Sequence, residues 1–157
     1  MQAGSSFVAL VGVEEFWDPA RMKNTLTIAA ALLLNASGQT LLVRKRGTQA
    51  FMQPGGKIDA GERPIEALAR ELHEELGLRI DPADALALGA FSAPAANEPG
   101  YQVHCQLFQL VITEDVTCAA EIEEARWVSL EDCARLPLAP LTRDHILPLY
   151  AQFIQTA

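Results

Sequence analysis

From Pro64 to Gly77, apolar side chains recur at Ile65, Leu68, Leu72 and Leu76, in steps of three and four. That period belongs to an α-helix with one stripe against a core. Proline suits the first helical turn and Gly77 supplies a C-terminal stop, so the spacing predicts a helix over 64–76. On it, Glu71, Glu74 and Glu75 stand at i, i+3 and i+4, which stacks three carboxylates on one face beside the apolar stripe.

A solvated acidic face is the ordinary explanation of such a run. Two penalties count against it here. Glu71 and Glu75 are a like-charge i, i+4 pair, costing about 0.2–0.5 kcal/mol. Glu74 and Glu75 also occupy the last turn, where the helix dipole disfavours anions by roughly 0.3–1 kcal/mol each. Carboxylates kept against both point to a bound hard cation that reverses the local field. All-oxygen donors with no cysteine or paired histidine indicate magnesium, with manganese as a substitute, rather than zinc. Upstream, Gly55 and Gly56 let backbone approach closely, so a carbonyl there is available to such an ion. Glu62 is expected either to reach the metal through water or to pair with Arg70. Glu66 and Arg70 are placed for an i, i+4 ion pair.

Around this helix the chain reads as strands. Leu26–Leu34 and Thr40–Arg46 are β-type runs separated by Asn35-Ala36-Ser37-Gly38-Gln39, a hairpin pattern. Pro54-Gly55-Gly56 reads as a turn. Ala85–Phe91 and Val103–Ile112 are further strands with a loop over Pro94–Gly100, and Trp127-Val128-Ser129 is a short one. Ser129 is placed to cap a helix at Leu130, and Thr142–Gln155 reads as a closing helix interrupted or kinked at Pro148. Strands mixed with two or three helices give an α/β or α+β sandwich. Residues 1–24 form a peripheral segment with a strand expected at Phe7–Val13, and 25–157 form a single domain.

Composition limits the partners. The 157 residues carry a net charge of −8, which disfavours an electrostatic grip on long nucleic acid or anionic lipid. An anionic substrate must therefore be held by local cations. No apolar run is long enough to span a bilayer. Cys105, Cys118 and Cys133 form no close pair, and reduced thiols in the cytoplasm are expected.

Gly56, five residues, Glu62, seven residues, then Arg70-Glu71-Leu72-His73-Glu74-Glu75-Leu76-Gly77-Leu78 resembles a complete Nudix box, with every fixed position filled. Length and layout from Leu26 onward are similar to the short MutT-like branch of that family. The resemblance implies an α/β/α sandwich with a mixed sheet and a loop-helix-loop catalytic motif. It also implies hydrolysis of a nucleoside diphosphate linked to another group. By position it makes Glu71, Glu74, Glu75 and the Gly56 carbonyl metal ligands, Arg70 the group that orients the catalytic carboxylate, and Glu71 the first candidate for general base.

Weaker candidates lie around the box. Arg44, Lys45 and Arg46 with Lys57 make the one dense basic patch, and Arg44, Arg46 and Lys57 are expected to meet the substrate. Strand alternation allows only one or two of residues 44–46 to face it. Glu98 and Glu121 are candidate bases outside the box, Glu121 by likeness to a loop glutamate of MutT-like members; a solvated loop is the alternative for Glu121. Gln53 replaces the larger apolar or aromatic residue common before Pro-Gly-Gly in the family. The expected substrate is a small nucleotide, first a nucleoside triphosphate, oxidised forms included, giving monophosphate and pyrophosphate. The alternative is ADP-ribose or a nucleotide sugar, for which Pro94, sixteen positions beyond Leu78, is the family's clue. A non-catalytic ligand-sensing module is disfavoured because every box glutamate is present. No nucleic-acid or membrane partner is expected, and the chain is a monomer or homodimer.

Overall fold

A computed structural model describes residues 24–156. The strand expected over Phe7–Val13 lies outside the described residues. The elements in order are β1 (Thr25–Leu34), β2 (Thr40–Lys45), β3 (Phe51–Met52), β4 (Gly55–Lys57) and α1 (Pro64–Leu76). They continue with a 3₁₀ turn (Pro82–Asp84), β5 (Leu86–Pro94), β6 (Gln102–Val111), β7 (Ile122–Val128) and α2 (Leu130–Cys133). A π-helical turn (Thr142–Ile146) and α3 (Leu147–Thr156) close the described chain.

The strands form one mixed sheet with the path β3-β2-β1-β6-β5, while β4 joins β1 and β7 joins β2. The long parallel pair runs from Thr25 opposite Gln102 to Leu34 opposite Val111, and the other pairs are antiparallel. β1 is apolar without alternation because both of its faces are covered. Ala29, Ala31 and Leu33 pack with Leu68, Leu72 and Leu76 of α1, whereas Ala30 and Leu32 pack with Ile146, Leu147 and Tyr150 of the C-terminal helices. The result is the expected three-layer α/β/α sandwich. Among the described residues no helix is long and apolar enough to cross a membrane.

Residues 54–56 are more than a turn. The β1–β2 hairpin is paired only at Leu34 and Thr40, after which β2 turns away to β7. The freed edge of β1 is taken by β4, with Ala30 opposite Gly55, Ala29 opposite Gly56 and Ile28 opposite Lys57. The Ala31 N–H donates to the Pro54 carbonyl at 3.0 Å. Two strands sharing one edge is a tertiary fact with no local sequence signal. β7 is likewise longer than the three residues expected: it starts at Ile122, opposite Lys45, with Glu124 opposite Arg44. β5 begins one residue later than expected and runs through Pro94, which ends a strand rather than opening a loop. Proline is tolerated there because β5 is at the sheet edge and Pro94 is its last residue.

α1 has the expected limits, with Gly77 left-handed at φ 70°, its N–H donating to the His73 carbonyl at 3.0 Å and the Leu78 N–H to that of Leu72 at 3.3 Å. The Glu66–Arg70 pair does not form. Glu66 instead accepts from the Arg63 N–H at 2.9 Å and closes the first turn, leaving Arg70 to other acids. The closing helix is disturbed as expected near Pro148, but the distortion lies just before it. The Leu147 N–H reaches back to the Thr142 carbonyl in a π turn, a common means of absorbing a strained helix segment.

Candidate active site

α1 lies over β4, and the two together make the wall of a cleft of about 680 Å³. Glu71, Glu74, Glu75, Gly56 and Lys57 line this cleft with Lys45, Arg46, Glu98 and Glu121. Its other wall is apolar, from Leu26, Ile28, Ala30, Met52 and Val103. A polar wall and an apolar wall therefore meet in one groove.

Close approach of β4 is what builds the polar wall. Gly55 has φ 147°, and a Cβ on it would stand 2.2 Å from the Ala29 carbonyl oxygen. A Cβ on Gly56 would fall 2.4 Å from the Glu71 carboxyl carbon. Gly55 is required by the backbone it meets, whereas a side chain at Gly56 would displace the Glu71 carboxylate from its place.

The three box glutamates differ in environment. Glu74 is exposed, Glu71 is largely covered, and Glu75 is only 3% exposed. Glu75 thus belongs to the buried side of α1 rather than beside the stripe, as the helical spacing alone suggested. It accepts from the Gly55 N–H at 3.3 Å. Burial pushes its carboxyl up to about 8, and the Glu71 and Glu121 charges push the same way; the Gly55 N–H and Lys45 oppose them. A buried acid with one long hydrogen bond is poorly compensated unless a cation joins it.

Arg70 is the hub of the upper rim. Its Nε and Nη2 grip the two Glu62 oxygens at 2.9 Å each, its Nη1 donates to Glu71 Oε2 at 2.8 Å, and Nη2 also donates to the Lys57 carbonyl at 3.1 Å. Of the two expectations for Glu62, the pair with Arg70 is the one formed. That pair, with the Asp59 N–H, holds the Glu62 carboxyl down at about 2. The same acids raise the Arg70 guanidinium above its ordinary value. Arg70 thereby ties the loop before α1 to the Glu71 side chain.

The basic patch divides. Arg44 leaves the cleft, pairing with Glu124 at 3.3 Å, donating to the Thr48 carbonyl and resting 6.0 Å from the Phe51 ring centre. Lys45, given no substrate role from sequence, lines the cleft and pairs with Glu121 at 3.0 Å. Ordinary alternation along β2 is the cause: Val43 packs toward α1 and Leu42 toward the C-terminal helices, so Lys45 falls on the Val43 side and Arg44 on the Leu42 side. Pairing also steps from Arg44–Glu124 to Lys45–Ile122, a bulge whose extra residue, Glu123, is on β7. Arg46 lines the cleft while paired with Glu123, and among the described residues Lys57 has no carboxylate partner. Glu121 is placed by the loop before β7, whose Ala119 N–H donates to the Glu75 carbonyl and Thr117 N–H to that of Leu76.

Among the described residues, no three acidic, histidine or cysteine side chains are already gathered closely enough to hold a metal ion. Glu71 is turned to Arg70 and Glu75 to the Gly55 amide. The donor set nevertheless fits a hard divalent cation. It offers a buried, under-bonded carboxylate, a second carboxylate over a glycine that leaves room for it, and a third at the rim, all oxygen.

The chain is similar to known proteins over different lengths. An 8-oxo-dGTP diphosphatase from Haemophilus influenzae is 45% identical over 60 residues, which is 36% of this chain and 44% of that protein. An uncharacterized Nudix hydrolase from Pseudomonas aeruginosa is 33% identical over 120 residues, 69% of this chain and 68% of its own. The chain spans less than half the length of the first curated relatives it matches, including 39% of a Myxococcus xanthus octanoyltransferase that is 34% identical over 146 residues. The crystal structure of a MutT protein from Methanosarcina mazei superposes with a TM-score of 0.66 at 25% identity, covering 84% of this chain and 94% of that one. The NUDIX domain family model matches residues 24–150, the whole span that builds the sheet, the cleft and its acidic rim, and the chain belongs to that family.

Proposed function

We propose that this chain is a magnesium-dependent pyrophosphohydrolase that cleaves a phosphoanhydride bond of a small nucleotide, first among them a nucleoside triphosphate. The observation that carries the reading is the juxtaposition of Glu75, buried against the Gly55 amide, with Glu71 over Gly56, both lining one cleft of about 680 Å³. Glu71, Glu74, Glu75 and the Gly56 carbonyl would hold the cation, with manganese as a substitute for magnesium. Bound there, a divalent ion neutralises charge on bridging oxygens and acidifies an attacking water. Glu71 is the nearest candidate to accept the water proton, worth about 10²–10⁴-fold in rate. Arg70 fixes the orientation of Glu71. Glu98 and Glu121, also on the cleft, are the outside-box alternatives for the base. Lys57, with Lys45 and Arg46, supplies positive charge for the phosphates.

The similarity to an 8-oxo-dGTP diphosphatase supports a triphosphate over a nucleotide sugar. Free Cys105, Cys118 and Cys133 accord with a reducing compartment, the cytoplasm. Pyrophosphate and phosphate release from a panel of triphosphates, ADP-ribose, dinucleoside polyphosphates and coenzyme A, with magnesium and then with chelator, tests the reading. Magnesium-dependent turnover of a triphosphate is expected. Turnover of none of the panel, by a chain that melts cooperatively, would overturn it.

A further inference from the structure

Gln53 lies between β3 and β4 and is 7% exposed, yet it lines the same cleft as the carboxylates. Its Oε1 accepts from the Thr142 hydroxyl at 2.8 Å, and Thr142 is fully buried at the start of the π turn. The other branch of the amide, Nε2, is buried and has no hydrogen-bond partner among the described residues. Native chains seldom leave a buried donor unmet, and doing so costs stability. A leucine or methionine would fill the position without that cost.

The surroundings narrow what the donor is for. Ile28, Ala30 and Met52 make the neighbouring cleft wall apolar, which suits an uncharged part of a ligand such as a nucleotide base. The charged groups lie toward Gly56 and α1, where phosphates are expected. We infer that Gln53 is a specificity-determining residue whose amide nitrogen donates to a carbonyl oxygen on the base of the bound nucleotide, with Thr142 as the anchor that holds the amide's other end. This rests on the proposed nucleotide hydrolysis and adds the class of base: one carrying a ring carbonyl, such as guanine or hypoxanthine. A site that hydrogen-bonds a group on its ligand discriminates against the analogue lacking it more sharply than an apolar pocket does.

The test compares inosine triphosphate with purine riboside triphosphate, and guanosine triphosphate with 2-aminopurine riboside triphosphate. Each pair differs at the 6-carbonyl and its ring proton. Wild type should favour the carbonyl base by about ten- to a hundredfold in kcat/KM. Gln53→Met should bring the ratio close to one. Because Gln53→Met also strips the Thr142 hydroxyl of its acceptor, the paired variant Gln53→Met with Thr142→Val removes both polar partners and should melt no lower than wild type. Equal rates on both members of each pair in wild type, or a preference unchanged in the variants, would overturn the inference and leave hydrolysis standing. An equal loss on every substrate together with a lower melting temperature would make Gln53 a structural residue. No turnover of any nucleotide would overturn the parent reading and this one with it.

Discussion

Replacing Glu75 with Gln should stabilise the metal-free chain, by an amount that grows with pH. The folded carboxyl is pushed up to about 8 by burial, against an ordinary value of 4.5. Between those values the unfolded chain has released the proton and the folded one still holds it, so stability falls by about 1.4 kcal/mol per pH unit. The contribution is fully present below the unfolded value and is lost as pH rises through the folded one. By pH 7 the accumulated cost is about 3 kcal/mol, a large share of a typical 5–15 kcal/mol. Glutamine keeps the shape and an oxygen for the Gly55 N–H but cannot ionise. Chemical unfolding of both proteins in chelator at pH 5, 6, 7 and 8 should show a small difference at pH 5 and a gain of about 3 kcal/mol at pH 7. Millimolar magnesium should then raise wild type more than the variant and shrink or reverse the order, since a ligand stabilises only the state that binds it. A pH-independent difference, or a variant less stable than wild type at pH 7, would refute the burial argument. An equal magnesium shift in both would remove Glu75 from the ligand set.

Two further substitutions probe the supports of the site. Gly55→Ala forces a Cβ against the Ala29 carbonyl at a positive φ and should cost at least about 2 kcal/mol; a loss under 0.5 kcal/mol by urea unfolding would show that β4 can move off β1. Arg70→Lys loses the two-pronged grip on Glu62 and should lower kcat about ten- to a hundredfold with little change in KM. By NMR titration, Glu62 should rise in the same variant from about 2 toward the ordinary carboxylate range, and an unmoved Glu62 would contradict the hub.

The parts legible in the sequence were those written in local periodicity. The limits of α1 and its glycine stop follow from spacing within four residues, and the structure keeps them. What was hidden depends on partners distant in sequence. Glu75 reads as one of three rim acids, but its burial arises because β4 packs under α1. Arg44 and Arg46 read as equivalent by alternation, but which face of β2 meets the cleft is set by Val43 and Leu42 packing on opposite layers, and that sends Arg44 away and turns Lys45 in. Gln53 shows in the sequence only as an unusual residue before Pro54. Its unmet amide appears once Thr142, 89 positions later, is packed beside it.

The central claim is that the acidic face of α1 is a metal-dependent hydrolytic centre, and Glu71→Gln tests it most directly. Steady-state pyrophosphate release would be measured at saturating magnesium for wild type and variant, alongside thermal melts. A fall of about 10²–10⁴-fold with the melting temperature preserved is the expected result. Activity within about threefold of wild type, at a proton-transfer step that should depend on this carboxylate, would contradict the account.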